Sequence, residues 1–138
     1  MYNNVHSYSQ LILLPWGWSS TRPDDYDWMY GIASKGEIFF TWFHVQCLIF
    51  SIAGAQALFD ANGQTYEVGC IPCMLYVASG GSLDWTKGVN DIKFSIGMEL
   101  RDTGRYGFIL PPEQIVPTGE EVWAFHITVV RELLAAEA

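Results

Sequence analysis

Positive charge is scarce in this chain: seven Lys and Arg stand against fifteen Asp and Glu in 138 residues, a net charge of −8. With no basic stripe to neutralise phosphates, nucleic acid is not an expected partner. Cysteine is also sparse. Cys47, Cys70 and Cys73 are too few for a disulfide scaffold, and the odd count leaves at least one thiol unpaired within one chain. Met1-Tyr2-Asn3-Asn4 has neither the basic nor the apolar region of a signal peptide. Repeats and low-complexity tracts are missing, and half of the residues are hydrophobic, which excludes a disordered chain. The length suits one domain.

What is present reads as alternating strands and helices, an α/β or mixed class. Residues 10–14 form an apolar run ended by Pro15 and Gly17, the pattern of a buried strand. Asp24, Asp25 and Asp27 crowd the start of a helix, where carboxylates cap free N–H groups. The next stop signal comes only at Asn62-Gly63. Residues 70–77 make a second apolar run interrupted by Pro72, leading into the turn Ala78-Ser79-Gly80-Gly81-Ser82. If Cys70 and Cys73 sat on a strand they would point to opposite faces, so two separate thiols are expected rather than a metal half-site. Ile92, Phe94, Ile96, Met98 and Leu100 alternate with polar or small residues, predicting a strand with Glu99 on the opposite face. Thr118-Gly119-Glu120-Glu121 has capping-box spacing, and Val122, Trp123, Ile127, Val130 and Leu134 follow at helical spacing.

One segment does not fit. Residues 38–59 are 22 in a row without a formal charge. They have the length of a bilayer crossing, yet Thr41, His44, Gln46, Ser51 and Gln56 interrupt the run and no Lys or Arg follows closely. A buried core helix is a second reading. A third treats residues 37–54 as an apolar insertion: without it, residues 31–36 rejoin 55–63 as one amphipathic helix.

Three further residues suggest chemistry, each with an ordinary alternative. His6 is a candidate metal ligand or a structural histidine. Glu99, near a strand end, is a candidate base or an exposed carboxylate. Tyr76, before a Ser-Gly-Gly-Ser turn, is a phenol on a hinge or a turn tyrosine.

Taken together, these segments resemble the pancreatic-type zinc metallocarboxypeptidases (the carboxypeptidase A/B family). The resemblance rests on three motifs in order. They are His6-Ser7-Tyr8-Ser9-Gln10-Leu11 with Pro15-Trp16-Gly17; Tyr76 through Ala78-Ser79-Gly80-Gly81-Ser82 to Asp84-Trp85; and Glu99-Leu100-Arg101-Asp102-Thr103-Gly104-Arg105-Tyr106-Gly107-Phe108. Leu110-Pro111, Gln114-Ile115 and Pro117-Thr118 continue the match, which covers nearly all of the chain outside residues 37–54.

The resemblance implies a mixed parallel and antiparallel sheet packed between helices, and an enzyme that removes single residues from peptide C-termini. It implies one zinc ion with His6 among its ligands, Glu99 as general base, and Tyr8, Tyr76 and Phe108 as substrate contacts. It places Leu83 at the floor of the side-chain pocket, beside a Gly97 that leaves room. An apolar floor cannot pair a buried cation, so C-terminal aromatic or large aliphatic residues are the expected substrates. The resemblance further implies a secreted protein, monomeric when complete, whose partners are peptide and protein C-termini.

The family's His-x-x-Glu zinc motif, its polarising arginine and its Asn-Arg anchor have no counterpart here. The expectation is an incomplete catalytic domain, the C-terminal part, with an exposed sheet edge. Such a chain would fold poorly and hydrolyse nothing alone. A catalytically dead peptide-binding piece, or a membrane-tethered form using residues 38–59, are the alternatives.

Overall fold

Alternating apolar residues around Gly97 build the strand on which the fold is organised. In the computed structural model, which describes residues 1–34 and 54–137, this strand is β4 (Ser95–Leu100), and its first four residues are buried on both faces. It lies inside a four-stranded sheet with β1 (Tyr2–Ser7), β2 (Leu11–Leu14) and β3 (Glu67–Cys70), in the order β1-β4-β2-β3. β1 runs parallel to β4, β2 antiparallel to β4, and β3 parallel to β2. The sheet is thus mixed, and β1 and β3 are its edges among the described residues. The expected strand over 92–100 begins only at Ser95. Its start is held back by a turn in which Asp91 takes a positive φ and Ser95 Oγ donates to the Ile92 carbonyl.

Each face carries its own helical layer. Ile12, Leu14, Ile96 and Met98 pack against α1 (Tyr26–Ala33), α2 (Gly54–Asn62) and α5 (Ile115–Ala136), through Met29, Leu58, Phe125 and Val129. On the other face Leu11 and Leu13 meet Ile71 of α3 (Ile71–Met74) and Leu83 of α4 (Ser82–Gly88). A 3-10 turn at Pro112–Gln114 leads into α5.

Several sequence expectations are corrected. Asp25 stands at the N-cap of α1 without a side-chain capping bond; its carboxylate instead pairs with Lys87 Nζ at 2.5 Å. α1 ends at Ala33, where Ser34 turns extended, so no continuous helix crosses this point. Residues 35–53 lie outside the described residues. Of the charge-free stretch 38–59, residues 54–59 belong to α2, with Gly54, Ala55 and Leu58 buried. The stop at Gly63 is as expected: its φ is +71° and its N–H donates to the Phe59 carbonyl. No described helix is long and apolar enough to cross a membrane.

The apolar run at 70–77 is not a strand. β3 ends at Cys70 and Pro72 enters the first turn of α3, where its missing N–H costs nothing. A helical turn brings residues three apart onto one side, and Cys70 and Cys73 are joined as a disulfide with Cα atoms 5.2 Å apart. The loop it closes is very short, so on chain-entropy grounds it stabilises by only about 2 kcal/mol.

The capping box is also corrected. α5 starts at Ile115, one turn before Thr118, whose Oγ1 donates to the Gln114 carbonyl. Its buried residues are Thr118, Glu121, Phe125 and Val129, while Trp123, Val130 and Leu134 of the expected apolar stripe face outward.

Candidate active site

The parallel register of β1 and β4 sets His6 beside Glu99, and the antiparallel register of β2 sets Leu11 against the same glutamate from the other side. Register partners share a face, so all three lie on the α3/α4 side of the sheet. Glu99 is half-buried. Burial pushes its carboxyl above the usual range, and the nearby charge of His6 draws it partly back. Loss of water disfavours the anion, which moves a carboxylate towards the range where it can both accept and return a proton.

Two residues beyond His6, the Tyr8 ring meets Phe108 edge-on with centroids 5.1 Å apart. The loop carrying Phe108 is organised by Asp102, whose carboxylate accepts N–H bonds from Gly104 (3.1 Å), Tyr106 (2.8 Å) and Gly107 (3.1 Å). Burial alone would raise the Asp102 pKa, but these donors outweigh it and hold the carboxyl below its ordinary value. Gly107 has φ +57°, and a Cβ there would stand 3.2 Å from the Tyr8 ring. Both the turn and the close approach therefore require glycine. Phe108 itself is 80% exposed.

Leu83 is buried, and its Cδ2 lies 3.4 Å from where a Cβ on Gly97 would be. A Cβ on Gly97 would thus meet the tip of Leu83 at ordinary van der Waals distance. Tyr76 is 70% exposed beyond the end of α3, and no hydrogen bond, ion pair or ring contact among the described residues ties it to the others. The structure thus joins His6 with Glu99, Tyr8 with Phe108 and Leu83 with Gly97, and leaves Tyr76 apart.

A second bracing carboxylate was not foreseen. Asp84 accepts the Gly17 N–H at 2.9 Å and the Trp18 N–H at 3.2 Å, while Ala78 N–H donates to the Gly17 carbonyl at 2.8 Å. The turn after β2 is thereby tied to the loop before α4 through Ala78 and to the first turn of α4 through Asp84. Pro15-Trp16-Gly17 and Asp84-Trp85 both stand in the motifs, but nothing in the sequence pairs Gly17 with Asp84. A Cβ on Gly17 would come within 2.9 Å of the Ala78 carbonyl and 3.3 Å of Asp84 Oδ2. Gly17→Ala should cost about 1–3 kcal/mol, whereas Gly31→Ala in α1, with nothing within 4 Å, should stabilise by about 0.5–1 kcal/mol. Urea midpoints of the two variants check both signs.

The zinc carboxypeptidase family profile matches residues 1–125. The chain belongs to the zinc carboxypeptidase family. It is 43% identical over 119 residues to carboxypeptidase A2 of Rattus norvegicus, a match covering 86% of this chain and 24% of that protein. Against carboxypeptidase B of Astacus astacus it is 40% identical over 123 residues, covering 89% of this chain and 35% of the relative. Among solved structures it superposes on bovine thrombin-activatable fibrinolysis inhibitor, in complex with a tick carboxypeptidase inhibitor, with a TM-score of 0.80 and 29% identity. That match covers 98% of this chain and 40% of the other. Carboxypeptidase A from Helicoverpa armigera gives a TM-score of 0.72 and 26% identity, covering 98% of this chain and 30% of that one. The chain spans about a quarter to a third of the curated relatives it matches.

The family implies zinc, and the described residues of this chain do not fit a complete zinc site. No three His, Cys, Asp or Glu side chains among the described residues come together as a metal would need. His126 lies on α5, across the sheet from His6; its Nδ1 is 2.7 Å from the Val122 carbonyl and its Nε2 is 3.0 Å from Asn3 Nδ2. Cys70 and Cys73 are bonded to each other. A catalytic zinc takes three protein ligands and an open position, and the described residues gather no such set around His6.

Proposed function

We propose that this chain is the C-terminal part of a metallocarboxypeptidase catalytic domain that releases aromatic or large aliphatic residues from peptide C-termini. The observation carrying this reading is the pairing of His6 with Glu99 on one sheet face, with Glu99 partly stripped of water. In this reading Glu99 takes a proton from the attacking water and returns it to the leaving amine. His6 is one ligand of an ion that the longer protein completes. Tyr8, Tyr76 and Phe108 contact the peptide, and Leu83 ends its side-chain pocket. The substrates are peptides and proteins met outside the cell, where disulfides such as Cys70–Cys73 form.

The chain by itself should release no C-terminal Phe, with or without added zinc. The longer protein containing it should release Phe faster than Arg, and Glu99→Gln in that protein should lower kcat by about 100-fold or more. Faster release of Arg would overturn the substrate assignment. Zinc-dependent hydrolysis by the chain alone would overturn its incompleteness.

Residues 37–54 are read as an insertion foreign to the family pattern. Supporting this, the chain leaves and re-enters at one place: a Cβ on Gly54, the last residue of the stretch, would lie 3.2 Å from the Ala33 carbonyl at the end of α1. Sequencing the transcript across residues 35–56 tests it, a message lacking the stretch being the expected result.

A further inference from the structure

Cys70 and Cys73 differ sharply in access. Cys70, at the end of β3, is 2% exposed and belongs to the main core, whereas Cys73 is exposed on the α3 turn. Both line a groove with Arg22, Tyr26, Asp27, Tyr30 and Glu67. We infer that this disulfide is a thiol-exchange site, opened by small amino-acid-type thiols that enter the groove and attack Sγ of Cys73.

Access decides which sulfur reacts. Exchange needs an approach along the S–S axis to one sulfur while the other leaves, and only Cys73 meets solvent. Charge indicates the class of thiol. The Arg22 guanidinium lies 4.3 Å above the Tyr26 ring and can hold a carboxylate, while Asp27 and Glu67 can hold an ammonium group. The energetics permit opening, because a bond between residues only three apart constrains little of the unfolded chain.

The step balances as follows. The incoming thiolate forms a bond to Cys73 Sγ, the Cys70–Cys73 bond breaks, and Cys70 leaves as a thiolate that takes a proton from water. One disulfide has replaced another with no net redox change. A second small thiol then attacks the outer sulfur, releasing the small-molecule disulfide and leaving Cys73 reduced. Two thiols are thereby oxidised and the protein disulfide gains two electrons. Until then Cys70, held beside Cys73, recloses the bond and expels the adduct.

The test uses glutathione on the full chain without denaturant. Millimolar reduced glutathione, followed by alkylation and peptide mapping, should give free thiols at both Cys70 and Cys73. In a Cys47→Ser background, Cys70→Ala exposed to oxidised glutathione should hold a stable adduct on Cys73. Cys73→Ala should leave Cys70 modified at least about tenfold more slowly. A bond that resists reduction until urea is added overturns the inference, as does an adduct forming natively on Cys70. The unmodified chain supplies the first readout even if a variant fails to fold.

Discussion

Arg101→Met should destabilise the chain by about 3–5 kcal/mol, because it leaves a buried carboxylate with no counter-charge. Glu121 is fully buried on α5, and Arg101 leaves β4 to reach it. Arg101 Nε lies 3.1 and 3.0 Å from the two carboxylate oxygens, and its Nη2 makes a further, closer contact with Oε1. Tyr66 adds its hydroxyl to Oε2 at 3.3 Å. Burial first, and the Glu121 charge second, push the Tyr66 phenol well above its ordinary pKa, so it keeps its proton and always donates. Glu121→Leu alone strands the guanidinium and should cost a similar amount. The double variant should lose much less than the sum, since an apolar pair needs no desolvation of ions. A urea-unfolding double-mutant cycle checks this. Additive losses would mean that the pair does not act as a unit.

Phe125→Ala should cost about 3–5 kcal/mol, the usual range for emptying a phenylalanine site in a core. Phe125 has no solvent exposure, and its ring covers Gly54 so closely that a Cβ there would fall within 2.5 Å of it. The ring fills the joint between α2 and α5, and small residues around it cannot close the gap. Trp123→Ala, two positions earlier and 68% exposed, should stay within about 0.5 kcal/mol. The contrast is sharp because spacing along the chain points to the wrong residue. If Trp123→Ala proved the more damaging, the rotation of α5 described above would be wrong.

That contrast shows where sequence reading succeeds and stops. β4 announces itself through apolar residues at every second position, and Gly63 through the left-handed turn it alone permits. The motifs around His6, Tyr76 and Glu99 carry the family and its candidate site, and the strand register brings His6 and Glu99 to one face. The face of α5 was not legible, because apolar residues occupy more than one side of that helix and periodicity cannot rank them. Glu121 reads locally as a capping residue. It is drawn into the core by an arginine twenty positions away, and nothing near it in the chain signals this partner. The disulfide was missed for a related reason. Cys-x-x-Cys closes only if the intervening residues coil, and β-like composition at 70–77 masked a helical turn.

The division of β4 into two faces has a consequence for how such a chain can change. Gly97 and Glu99 look towards one helical layer, whereas Ile96 and Met98 anchor the other. Alterations to reactivity and alterations to durability therefore fall on different residues of one strand. On the proposed assignment of Glu99, a lineage could lose its chemistry by drift at that position while keeping its architecture, and an engineer could strengthen the α5 layer without touching the face that carries Glu99.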